Sequence, residues 1–343
     1  MTDDLSTSTD GAGTALPLSI LDLAPIRRGE TAAESFAASV ALARRAEELG
    51  YRRVWYAEHH NIATIASSAT SVLVAHVAAN TRAIRLGAGG VMLPNHAPLT
   101  IAEQFGTLAE LHPGRIDLGL GRAPGSDRTT MHALRRGTAS ADHFPEDVLE
   151  LQGYLGDETR IPGVEATPGK GTHVPLYILG SSMYGATLAA QLGLPYAFAS
   201  HFAPDLLEQA VAAYRSEFRP SAQLDAPYVI AGVNVAAAET AEQADAHLHA
   251  AKRARVGALL EHRRTLSDDE ADAILASPEG AHVAHMTRYA AVGTPAEVRR
   301  YLEAFARHAD ADELITVPLA PSTADRLRSV ELLADVALEA PAR

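Results

Sequence analysis

The sequence predicts a (β/α)8 TIM barrel with insertions after strands 4 and 7. Three observations carry that reading. Eight short runs rich in branched and aromatic residues recur along the chain, the intervals between them show helical periodicity, and several of those helices close on glycine, the usual C-terminal cap. The strand runs are continuously apolar rather than alternating, as expected of parallel strands covered on both faces. Strands of that kind, alternating with helices, make an α/β fold, and eight of them close most economically into a barrel.

Taken in order, residues 1–16 begin MTDDLSTSTDGAGTA and are expected to form a disordered tail, with residues 17–343 a single barrel domain. The first strand is LSILDLAP (18–25), followed by the amphipathic stretch ESFAASVALARRAEELG. RRVWYAEH (52–59) and IRLGAGGVML (84–93) are the second and third strands, and APLTIAEQFGTLAELHPG leads to the fourth, RIDLGLG (115–121). Residues 122–174 are too long for a plain crossover. PLYILG (175–180), PYAFAS (195–200) and YVIAGVNVAA (228–237) follow, separated by the helical YGATLAAQLG and PDLLEQAVAAYRSEF. A second long connection, 238–312, contains its own helical pattern in RTLSDDEADAILASPEGAH before the last strand, ELITVPL (313–319). Insertions that follow barrel strands sit at the catalytic face, so both are candidate lids.

Composition excludes several functions. The chain has 343 residues, 47% of them hydrophobic, enough for a large core. Its 29 basic and 42 acidic residues give a net charge of -13 without a long charged block, a surface that repels nucleic acid and anionic membranes. With no cysteine, thiolate nucleophiles, disulfides, iron–sulfur clusters and thiolate zinc sites are excluded. His, Asp, Glu, Ser, Tyr or a bound cofactor must do the chemistry. The N-terminus has acids where a signal peptide needs bases, and no run of about 18 apolar residues occurs. A soluble, cytoplasmic protein is expected.

Candidate functional residues gather where strands end. Glu58, His59, His60 and Asn61 close the second strand, the position where barrel enzymes place catalytic groups. A metal site is disfavoured, because adjacent histidines on a strand point opposite ways. Two alternatives stay open: polar groups that satisfy the end of the strand, or one histidine facing the pocket as a proton carrier. GAGG, Gly87 to Gly90, interrupts the third strand and implies either a flat ligand against the backbone or a bulge in the barrel wall. Arg122 emerges among glycines in GLGRAPGSD, and LGSSMYGATLAAQ starts a helix with Ser181 and Ser182, a natural phosphate cradle or a pair of helix caps.

The stretches YRRVWYAEHHN, RLGAGGVMLPNHAPLTIAEQFGTLAELHPGRIDLGLGRAPGSD (85–127), VPLYILGSSMYGATLAAQLGLPYAFASHF (174–202) and AVGTPAEVRRYLEAFARHADADELI (291–315) resemble the bacterial-luciferase-like flavin-dependent monooxygenases. Their order and spacing match over nearly the whole chain after the tail. The resemblance implies a barrel that binds reduced FMN, or in some branches F420, at its C-terminal face, often supplied by a separate flavin reductase. It implies that Gly89 and Gly90 form a cis peptide beneath the flavin, that Arg122 grips the FMN phosphate, and that Ser181, Ser182 and the backbone through Gly185 form the phosphate loop. His59 corresponds to the active-site histidine beside the flavin, with Glu58 and Asn61 as ring-contacting or orienting groups and no metal. Gly121 stands where the luciferase α chain has a cysteine.

The implied activity is oxidation of a small organic substrate by reduced FMN and O2. The alternatives are hydride transfer by FMN or F420 without oxygen activation, and flavin binding without turnover. ASSATSVLVAHVAAN, poor in charge on more than one face, is expected to pack in a homodimer. No recognisable code identifies the substrate.

Overall fold

The computed structural model describes residues 16–123, 127–260 and 266–337. The expected tail therefore lies outside the described residues except for Leu16, as do parts of both expected lids. The first half runs β1 (Leu18–Asp22), α1 (Ala32–Leu49), β2 (Arg53–Tyr56), α2 (Thr70–Ala78), β3 (Arg85–Met92), α3 (Pro98–Leu111) and β4 (Ile116–Gly121). The first insertion supplies α4 (Arg128–Ala133) and precedes α5 (Phe144–Leu155), after which come β5 (Leu176–Gly180), α6 (Met183–Leu192), β6 (Tyr196–Phe198), α7 (Leu207–Glu217) and β7 (Val229–Ala237). The second connection holds α8 (Ala241–Leu260), α9 (Asp268–Leu275), α10 (Gly280–Met286), β8 (Ala290–Gly293) and α11 (Pro295–His308), followed by β9 (Glu313–Pro318) and α12 (Thr323–Ala337).

Strands β1 to β7 and β9 form a closed parallel barrel, with β9 paired to both β7 and β1. The expected eight-stranded barrel is thus present. An additional strand, β8, pairs with β7 from Asn234↔Ala290 to Ala237↔Gly293. Its four residues, AAVG, are too short and alanine-rich to stand out as a strand in sequence. The second strand is shorter than expected: β2 ends at Tyr56, leaving Glu58 and His59 beyond its last paired residue. Side chains account for the early end, since Ala57 O accepts from Ser67 Oγ at 2.6 Å and from Thr70 Oγ1 at 3.3 Å. His59 N then donates to Ser67 O at 3.0 Å.

Strand alternation sorts β2 between two cores. Val54 and Tyr56 pack under the helices, whereas Trp55 and Ala57 join Leu21, Ala197, Ile230 and Ile315 inside the barrel. Below this apolar layer, Arg53 Nη1 donates to Asp117 Oδ2 at 2.8 Å and Tyr177 Oη at 2.7 Å, and its Nη2 donates to Glu313 Oε2 at 3.0 Å. Trp55 Nε1 reaches Asp117 Oδ2 at 3.1 Å, and Tyr228 Oη reaches Glu313 Oε2 at 2.7 Å. Buried charges persist only when paired. Burial alone would lower the Arg53 pKa, but the charges of Glu313 and Asp117 outweigh it and raise the pKa.

The enclosing helices are set by local chemistry. Capping boxes, Thr31 with Glu34 and Ser267 with Glu270, open α1 and α9. Gly50 ends α1 at φ 85°, the left-handed conformation that glycine adopts without a Cβ penalty. Among the described residues, no helix is long and apolar enough to cross a membrane.

Candidate active site

The candidate site lies at the C-terminal mouth of the barrel, where the loops after the strands converge. His59 continues the inward parity of Trp55 and Ala57. It lies close enough to His201, beyond β6, for its charge to act on that ring. These two histidines extend from strands on opposite sides of the barrel.

Glu58 and His60 have the other parity and form a separate cluster. The Glu58 carboxylate, 2% exposed, places Oε1 at 2.8 Å from His60 Nε2 and 2.9 Å from His96 Nε2, while Oε2 accepts from Met92 N at 3.0 Å. Burial works to raise the Glu58 pKa, but the hydrogen bonds from His60 and His96 prevail and hold it at about 2. The same hydrogen bond from Glu58 raises the pKa of His60. Glu58 therefore ties the end of β2 to the segment after β3. Asn61 is exposed, has a left-handed φ of 58°, and directs Nδ2 to Asp127 Oδ2 at 3.4 Å. Asp127 in turn caps α4 through Thr130 N at 2.9 Å, so Asn61 connects to the first insertion. Among the described residues, no group of three or more His, Asp or Glu side chains is placed to hold a metal ion.

The Gly89–Gly90 peptide is cis, and the pairing of β3 with β4 shifts register between Ala88 and Val91. A Cβ on Gly89 would stand 2.9 Å from both Leu21 Cδ1 and Trp55 Cβ, and one on Gly90 2.7 Å from Gly119 O. The barrel's own packing therefore requires these glycines.

Arg122 and the start of α6 meet on one side of the mouth. The Arg122 guanidinium lies 4.2 Å from the Tyr184 ring centroid, and its Nε donates to Ala141 O at 3.3 Å. Ser182 occupies the N-cap position of α6 but makes no side-chain capping bond. Ser181 is half-buried beside it. Gly185 is buried, and a Cβ there would meet Tyr196 Cε2 at 3.4 Å. One guanidinium, two hydroxyls and the first-turn N–H groups of a helix are the donor set of a phosphate-monoester site. Met183, Tyr184 and Phe202 leave large apolar surfaces exposed on this face.

Two further residues were not singled out from the sequence. The His201 ring rests against Gly232, where a Cβ would stand 2.4 Å from its Nδ1, and Asn234 Nδ2 donates to His201 O at 2.7 Å. Burial, then the charges of Arg255 and His59, lower its pKa to about 3, so the ring is neutral. The signal for His201 was its inward parity with Ala197 at the end of the sixth strand. Arg255 lies within α8, where sequence pattern gives no comparable signal.

Residues 16–312 match the family model for luciferase-like monooxygenases. A luciferase-like monooxygenase of Escherichia coli strain K12 is 48% identical over 324 residues, covering 94% of this chain and 97% of the relative. An N-acetyl-S-alkylcysteine monooxygenase of Bacillus subtilis strain 168 is 39% identical over 241 residues, covering 67% of this chain and 70% of the relative. The solved structure of apo-MsnO8 aligns with a TM-score of 0.84 at 36% identity, covering 94% of this chain and 98% of that one.

Proposed function

The chain belongs to the luciferase-like monooxygenase family, and on that premise we propose that it uses reduced FMN and O2 to oxidise a small organic substrate at the barrel mouth. The observation that carries this reading is the meeting of Arg122 with the serine-lined start of α6, at the same end of the barrel as His59, which follows β2. Bound reduced FMN supplies the activation of oxygen. Arg122, Ser181, Ser182 and the backbone through Gly185 bind its phosphate. Backbone at Gly89 and Gly90 borders the ring, and His59 holds or moves a proton at an imidazole nitrogen next to the reacting molecule. Glu58 acts as a positioning residue through His60 and His96, Asn61 anchors the first insertion to the end of β2, and the insertions exclude water.

A single guanidinium on the phosphate favours a flavin that exchanges between turnovers, delivered reduced by a separate reductase. The outer line of α2, with Val72 67% exposed, suits a homodimer contact. The test is anaerobic titration with reduced FMN, riboflavin and F420, followed by exposure to O2 and analysis of products for an incorporated oxygen atom. Tight FMN binding with oxygen incorporation supports the reading. Preference for F420 with substrate reduction or oxidation but no oxygen incorporated replaces it with hydride transfer, and flavin binding without any turnover leaves a binding protein.

A further inference from the structure

Tyr196 opens β6, fully buried and in register with Ile178 of β5 and Val229 of β7. Its ring centroid lies 5.5 Å from that of Tyr214 in α7 and 6.1 Å from that of Phe198, and Tyr214 Oη in turn donates to Leu194 O at 2.9 Å. The barrel wall and α7 therefore fix the ring. Above it runs the turn from Gly180 to Gly185 that leads into α6. A Cβ on Gly185 would stand 3.4 Å from Tyr196 Cε2, and one on Gly180 would stand 3.7 Å from its Oη, so the backbone of this turn lies directly on the edge of the ring. Tyr196 Oη donates to Ser182 O at 3.1 Å. Ser182 is the N-cap of α6, and its carbonyl is the one that accepts the first bond of the helix. That bond, from Ala186 N, is 3.5 Å long, beyond the usual range for N–H···O. The Ser182 side chain makes no capping bond. The head of α6 is thus held more closely by a phenol from β6 than by its own first turn.

We propose that Tyr196 is a positioning residue for the phosphate site: its hydroxyl sets the first turn of α6 and so aims the N–H groups of that turn, and the Ser182 hydroxyl, at the phosphate. This rests on reading the start of α6 as the seat of the FMN phosphate. The physical case is preorganisation. Unpaired N–H groups at a helix start hold an anion only where they converge on it, and a turn that had to order itself on binding would lose affinity by that cost. Tyr184 belongs to the same turn, and its ring centroid lies 4.2 Å from the Arg122 guanidinium, so the Tyr196 hydroxyl also sets the surface on which that cation rests. Burial raises the Tyr196 pKa, which keeps the proton on Oη and the hydroxyl a donor.

Tyr196→Phe removes the hydroxyl and keeps the ring. Anaerobic titration should show the affinity for reduced FMN lowered roughly 3- to 10-fold, the worth of one neutral hydrogen bond, with reduced riboflavin, which lacks the phosphate, unchanged. In the flavin-free variant, hydrogen exchange at the Ala186 amide should be faster than in the wild type. Equal losses for FMN and riboflavin, or a lower melting temperature with both affinities kept, would make Tyr196 a packing residue and overturn the proposal. Should Tyr196→Phe not fold, the wild type decides: its Ala186 amide must already be protected without flavin, and protection that arises only with FMN contradicts a preset turn. A wild type that binds FMN no better than riboflavin removes the phosphate assignment and this proposal with it. One that prefers FMN, and keeps that preference undiminished in Tyr196→Phe, overturns the positioning role alone.

Discussion

The Arg122 guanidinium lies 4.2 Å from the ring centroid of Tyr184, which joins the residue after β4 to the first turn of α6. If that junction is the phosphate site, Arg122→Ala should weaken FMN binding by about 10- to 150-fold, the worth of roughly 1.5–3 kcal/mol for a charge-assisted contact. Riboflavin, without the phosphate, should bind the variant and the wild type alike. Fluorescence titration of both ligands checks this, and equal losses for FMN and riboflavin would mean that Arg122 holds the loop instead.

His59 and His60 are adjacent in sequence but belong to different clusters. His59→Ala should leave folding and FMN affinity intact and lower substrate oxidation by roughly 10²–10⁴. His60→Ala should act mainly on stability, because its partner is the buried Glu58. Parallel kinetics and melting curves separate the two, and a catalytic loss confined to His60→Ala would reverse the assignment.

Glu58→Gln should destabilise the fold by roughly 2–4 kcal/mol near pH 6, since a carboxylate held at about 2 is ionised and hydrogen-bonded there. A lowered carboxylate pKa contributes stability above its unfolded value near 4.5, and that contribution is lost as pH falls toward about 2. The gap between wild type and variant should therefore narrow below about pH 4.5. On the other side, His60 has a raised pKa, so the ion-pair part should fade as pH rises through it. Urea unfolding across this range is the measurement, and a gap independent of pH would contradict the account.

Arg53→Met should cost about 3–5 kcal/mol, because it leaves the buried Asp117 and Glu313 without their shared cation. FMN affinity measured below the melting temperature should hardly change, since the apolar layer stands between Arg53 and the mouth. A variant that melts with the wild type would show the base network to be dispensable.

Val72→Asp places a charge on the exposed line of α2 and should convert a dimer to a monomer in light scattering at micromolar concentration. Retention of the wild-type mass would remove α2 from the interface.

The barrel was readable because each of its strands is a compact apolar run, and strand alternation separated His59 from His60 without saying which of them faces the pocket. Other features depend on contacts remote in sequence. His96, 38 residues after Glu58, completes the carboxylate cluster. The glycines of β3 answer to Leu21, Trp55 and Gly119 rather than to a pattern of their own. The four residues of β8 hold their place through β7, with little strand preference in their sequence.

The lock of Arg53, Asp117 and Glu313 also bears on how such a chain changes over generations. The charges that are hardest to keep inside a protein sit at the closed end of the barrel, beneath an apolar layer. Residues such as His59 and His201, which follow β2 and β6, border the open end. Selection for a new substrate and selection for a foldable chain therefore act on different positions. A lineage can exchange its mouth residues and explore new chemistry while the floor that holds the barrel closed stays the same.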